Sequence, residues 1–132
     1  GTYEGELRCA ARHAPSGATL TTDAPRDNLG RGEAFSPTDL VATALATCAV
    51  TTMAIAARKL GGAELPPLRW AATKEMTAEP PRRIARLTLD IWLPPVARAL
   101  DRAMLERAAQ GCPVARSLGP EVVQVVRFHD EA

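Results

Sequence analysis

The 132 residues fit one domain, expected to span 1–132. Sixteen Lys and Arg stand against fifteen Asp and Glu, and this formal net charge of +1 excludes an electrostatic nucleic-acid binder, which needs a basic excess or stripe. Aromatic residues make up 4 %, too few for a base-stacking platform or an aromatic ligand cage.

The core must therefore be built from Ala, Val, Leu and Ile, whose small side chains bury little area each. Residues 3–12 and 18–23 carry short, partly alternating strand patterns. The cluster His13-Ala-Pro-Ser-Gly17 between them is a turn, so a hairpin is predicted. Residues 24–35 read as loop, with Pro25, Asp27, Asn28, Gly30 and Gly32.

The strongest local signal follows. Ser36 is a good N-cap, Pro37 suits the first helical position, and Asp39 completes a box-like Ser-x-x-Asp pattern. A helix is predicted from there to about Leu60, where Gly61-Gly62 stops it. At 1.5 Å per residue it spans about 36 Å. It is apolar or small on nearly every face and must be covered on nearly every face. The partner chain of a homodimer would supply part of that cover. The stretch 40–57 has the length of a membrane span. Its Thr43, Thr47, Thr51 and Thr52 point instead to a buried central helix in a soluble, cytoplasmic protein.

Pro66-Pro67 is a break. Residues 68–78 and 84–93 read as two strands joined by the turn Glu79-Pro-Pro-Arg-Arg83. The second strand alternates cleanly, with Leu87, Leu89, Ile91 and Leu93 on one face and Arg86, Thr88 and Asp90 on the other. Pro94-Pro95 is predicted to start an amphipathic helix with Val96, Leu100, Ala103, Met104 and Ala108 inward, ended by Gly111. Cys112-Pro113 opens a short helical turn to Leu118, and residues 122–129 form a last strand. The predicted order is ββ-α-ββ-α-α-β.

Familiar sites are excluded one by one. His13 and His129 lie far apart and no Cys-x-x-Cys pair exists, so no metal site is expected. There is no Gly-x-Ser-x-Gly elbow. Three cysteines remain. Free cysteine is usually buried, so Cys9 reads as core packing. Cys112 stands at a predicted N-cap, where free amides and the helix dipole would lower its pKa. Cys48 lies mid-helix, and its own helix gives it no such activation.

The segment Ser-Pro-Thr-Asp-Leu-Val-Ala-Thr-Ala-Leu-Ala-Thr-Cys, residues 36–48, resembles the long-helix motif of the OsmC/Ohr family (osmotically inducible protein C and organic hydroperoxide resistance proteins). Gly111-Cys-Pro-Val-Ala-Arg-Ser-Leu118 resembles its second motif, and the separation of 64 positions from Cys48 to Cys112 is similar to its spacing. The stretch Ser16–Pro25 is similar to the YhfA-type, OsmC-like branch. The resemblance implies an α+β OsmC-like fold, with antiparallel sheets packed around the long helix in an intertwined homodimer. It also implies a thiol peroxidase that needs no cofactor. Cys48 would be the peroxidatic thiolate that attacks the O–O bond of an organic hydroperoxide, and Cys112 the resolving thiol. A dithiol reductant would then restore both. The family gives Cys48 the first attack, whereas the dipole favours Cys112.

One position departs from the family pattern. The hydroperoxide-reducing members pair an arginine with a glutamate near the attacking thiol, and that glutamate falls at Thr38 here. Asp39 is no substitute: nine residues is 2.5 helical turns, which sets it opposite Cys48. Glu33 is the substitute candidate. Arg26 and Arg31, with Arg8 or Arg12, are the arginine candidates. The departure keeps two other readings open. One is a protein of the same fold that binds a small apolar or acyl ligand at the dimer interface without turnover. The other is a thiol redox sensor. No nucleic-acid or membrane partner is expected.

Overall fold

The computed structural model describes residues 1–132. The elements are β1 (Thr2–Gly5), β2 (Arg8–Arg12), β3 (Thr19–Asp23), α1 (Pro37–Gly61), β4 (Arg69–Met76), β5 (Ile84–Leu93), α2 (Arg102–Gln110), α3 (Pro113–Ser117) and β6 (Val123–Asp130), with short 3-10 turns at Arg26–Asn28 and Pro95–Ala99. Two compact units divide the chain, Gly1–Val41 and Ala42–Ala132.

The first unit holds an antiparallel sheet of order β1-β2-β3. The predicted strand over 3–12 is in fact two strands. Glu6 and Leu7 both take positive φ, 53° and 64°, and so make the two-residue mirror-image turn that suits a tight hairpin. Neither is the Asn or Gly that would advertise it. The turn at 13–17 lies where predicted, closed by the Gly17 amide donating to the His13 carbonyl at 2.7 Å. No apolar side chain of this unit is buried; only Asp23 and Ser36 are. Cys9 is exposed on β2, not packed in a core, because this sheet has no core of its own in one chain.

The loop after β3 is tightly closed. The Glu33 amide donates to Asp23 Oδ2 at 3.0 Å, and the Asp23 amide to the Phe35 carbonyl at 3.0 Å. A side chain at Gly30 would collide with the Ala24 backbone, so the loop requires glycine there.

The capping box forms as the sequence specifies. The Asp39 amide donates to Ser36 Oγ at 3.1 Å, and the Ser36 amide to Asp39 Oδ2 at 2.8 Å. The helix then runs 25 residues. By length and mean hydropathy, 1.9 over its most apolar window, α1 could cross a membrane, a test that a core helix also passes. Its buried residues, Ala42, Leu45, Ala46, Ala49, Met53 and Ala57, fall on one face at helical spacing. Ala44, Thr47, Thr51 and Ile55 on another face are exposed.

In the second unit, β5 is the central strand of the order β4-β5-β6. Its alternation is as predicted, with Leu87, Leu89, Ile91 and Leu93 buried. The β4–β5 pair is antiparallel but β5–β6 is parallel, with Leu89 opposite Val126 and Ile91 opposite Phe128. The sheet is therefore mixed, not antiparallel throughout, because the crossover through α2 and α3 returns the chain in the direction of β5. The predicted helix from Pro95 breaks at Leu100, which is extended. Asp101 recaps the chain by accepting from the Met104 amide at 3.1 Å. The new register buries Met104, Leu105 and Ala109, with Ala97 from the 3-10 turn, and leaves Val96 69 % exposed and Ala103 exposed.

Candidate active site

Helix α1 carries Cys48 three turns from its cap, half-buried. The neighbouring hydroxyls serve the helix rather than the sulfur. Thr52 Oγ1 donates to the Cys48 carbonyl at 2.7 Å, and Thr47 Oγ1 to the Thr43 carbonyl at 2.8 Å.

Cys112 comes from the other end of the unit. Gly111 closes α2 through its amide, which donates to the Arg107 carbonyl at 3.0 Å. Cys112 then caps α3, its Sγ accepting from the Ala115 amide at 3.5 Å, with Pro113 in the first helical position. Its side chain is fully buried and neighbours the Cys48 thiol closely enough to feel it electrostatically. Both cysteines are free thiols. Cys48, inside α1, and Cys112, at the start of α3, thus bring two thiols of separate elements next to each other.

Burial pushes the Cys112 thiol above its ordinary value, and the adjacent Cys48 raises it further. The Ala115 and Val114 amides pull the other way and lose. The expectation of a lowered Cys112 pKa is thus reversed. A short helix supplies the stabilising amides, but full burial removes the water that a thiolate needs.

The remaining candidates all lie in Gly1–Val41, whereas both cysteines lie in Ala42–Ala132. Glu33 Oε2 pairs with Arg8 Nη1 at 3.1 Å, not with Arg26 or Arg31. Arg31 pairs with Glu6 at 2.9 Å, and Arg26 Nε donates to the Arg31 carbonyl at 3.1 Å. Thr38 Oγ1 lies 3.2 Å from Ser36 Oγ, within the cap. No group of three or more His, Cys, Asp or Glu is placed to hold a metal ion. One residue that sequence reasoning passed over is Arg116, whose Nε donates to the carbonyl of Gly111 at 2.9 Å, directly before Cys112. Its position in the second motif was the available signal.

A family model described as OsmC-like protein matches residues 30–126. No curated protein matches the chain. Among solved structures, a protein of Psychrobacter arcticus 273-4, provisionally described as an osmotic stress induced and detoxification response protein, is 40 % identical. That match covers 97 % of this chain and 92 % of the other, with a TM-score of 0.86. An organic hydroperoxide resistance protein OsmC of Legionella pneumophila is 19 % identical over 92 % of this chain and 96 % of the other, with a TM-score of 0.61. An organic hydroperoxide resistance protein of Elizabethkingia anophelis is 12 % identical over 98 % and 99 %, with a TM-score of 0.73. The last two likenesses are of fold alone.

Proposed function

The chain belongs to the OsmC-like protein family, and from that membership we propose that it is a thiol-dependent peroxidase acting on organic hydroperoxides. The observation that carries this reading is that the half-buried Cys48 thiol and the fully buried Cys112 thiol are neighbours.

The chemistry runs in three balanced steps. The Cys48 thiolate attacks the hydroperoxide, the O–O bond breaks, and the alkoxide leaves as alcohol after taking a proton, so Cys48 becomes a sulfenic acid. The Cys112 sulfur then attacks the Cys48 sulfur. The S–S bond forms, the S–O bond breaks, and the hydroxyl leaves as water with the Cys112 proton. A dithiol reductant finally opens the disulfide by two exchanges and is itself oxidised. Burial favours this division of labour. A Cys112 held neutral does not compete for the first attack, because the thiolate is the nucleophile.

Around that pair we propose a homodimer in the cytoplasm, where thiols stay reduced. The support for a second copy is the coreless sheet of Gly1–Val41 and the exposed face of α1. Arg26, Arg31, Glu33 and Thr38 are proposed for the substrate pocket on the family resemblance alone. Thr38 brings no carboxylate, which favours a second reading: a non-turnover protein holding a small apolar or acyl ligand. Native mass spectrometry of the purified protein would show such a ligand.

The test is consumption of cumene hydroperoxide by reduced protein with dithiothreitol, wild type beside Cys48→Ser and Cys112→Ser. Turnover in the wild type and its loss in Cys48→Ser are expected. Turnover retained in Cys48→Ser, or absent from fully reduced wild type, overturns the reading.

A further inference from the structure

We propose that Arg116 is the positioning residue of Cys112, a clamp that holds its sulfur against Cys48 and so governs how readily their disulfide closes. This rests on reading the two cysteines as a redox pair.

The Arg116 side chain reaches back over the start of α3 to the peptide ahead of Cys112. Its Nε donates to the Gly111 carbonyl at 2.9 Å, which fixes the peptide entering Cys112. On the other side, the Cys112 carbonyl accepts the ordinary first-turn bond of α3 from the Arg116 backbone amide at 3.1 Å. One more tie holds the short helix that carries the clamp. Gln124 Nε2, on β6, donates to the Ala115 carbonyl at 3.0 Å. The Ala115 amide in turn donates to the Cys112 sulfur.

Gly111 explains why a clamp is needed and how it fits. A glycine before Cys112 is a free hinge, because nothing in its side chain restricts φ and ψ. An unclamped hinge would let the sulfur swing away from Cys48. The guanidinium packs beside the same glycine at ordinary contact distance. A Cβ there would sit 3.5 Å from Arg116 Nη2 and 3.2 Å from the Arg107 carbonyl oxygen. Arg116 is itself solvent-exposed. Folding a long, flexible side chain back onto a carbonyl costs rotamer freedom, and the gain is order at the Gly111–Cys112 peptide. Disulfide closure within one chain is a proximity reaction, so loss of that order lowers the effective concentration of one sulfur at the other.

The experiment titrates the Cys48–Cys112 disulfide in a dithiothreitol redox buffer, followed by mass after alkylation, with no hydroperoxide present. Arg116→Met is expected to lower the equilibrium constant for disulfide formation about tenfold, about 30 mV for this two-electron couple. An unchanged constant in Arg116→Met overturns the proposal, as does a wild type that closes no disulfide in this buffer. A wild type that closes the disulfide normally yet consumes no hydroperoxide would overturn the peroxidase reading and leave the clamp standing. A purely structural role would shift unfolding of the reduced protein without moving the redox constant.

Discussion

The Ala115 amide points at the Cys112 sulfur from 3.5 Å, yet the thiol it serves is held neutral. Burial at 0 % exposure outweighs the amide. The consequence for stability has a definite sign. A thiol whose folded pKa lies above its unfolded value adds stability that is complete below the ordinary thiol pKa of about 8.5 and declines above it, since the unfolded chain then releases its proton first. Urea unfolding of wild type and Cys112→Ser from pH 6 to 10 checks this. The wild type's stability relative to the variant should be constant to about pH 8 and fall beyond it. A difference that stays flat or rises above pH 8.5 refutes it.

At the start of α1, Ser36 and Asp39 exchange hydrogen bonds at 3.1 and 2.8 Å. Ser36→Ala should cost about 1 kcal/mol, the usual value of such a cap. Asp39→Ala removes the second half of the same exchange. The double variant should therefore lose less than the sum of the two, measured by urea denaturation. Strict additivity would mean that the two residues act separately.

That cap was legible because all its information is local, within Ser36-Pro-Thr-Asp39. The alternation of β5 was legible for the same reason, and both cysteines stood in motifs. What stayed hidden depended on partners distant in sequence or on unusual backbone. Nothing in Glu6-Leu7 announces two positive φ values. The parallel direction of β6 is decided by the crossover before it and not by its own pattern. Cys9 looked like a core residue because free cysteine is usually buried, but burial needs a second layer that this sheet lacks in one chain. The pKa of Cys112 turned on its burial, which no spacing reveals.

The missing layer gives a prediction of its own. Ile55 is 46 % exposed on α1, in line with Thr51, Thr47 and Ala44. A core helix this apolar is stable in water only if that stripe is covered. Sedimentation velocity at micromolar concentration should show a dimer, and Ile55→Arg should give a monomer that also unfolds at lower urea concentration. A monomeric wild type would remove the account of the exposed stripe.

The last relationship concerns how the edge strand β6 is held. Arg69, Trp92 and His129 form one row across β4, β5 and β6. The Arg69 guanidinium lies 4.1 Å from the Trp92 ring centroid on one side. The His129 ring stacks at 5.0 Å on the other. His129 Nε2 also meets Asp90 Oδ1 at 2.6 Å, with the two side chains 40 % and 21 % exposed. Magnitudes separate the two contributions. A partly exposed side-chain hydrogen bond of this kind contributes about 1 kcal/mol or less. A stacked ring pair and a cation–π contact together contribute about 1–2.5 kcal/mol, apart from the ring's own burial. Trp92→Ala should therefore cost about 2 kcal/mol or more, and Asp90→Asn less than about 1 kcal/mol. Hydrogen exchange should show amides of β6 losing protection first in Trp92→Ala. If Asp90→Asn proved the more damaging, the His129–Asp90 hydrogen bond and not the indole would be what binds β6 to the sheet.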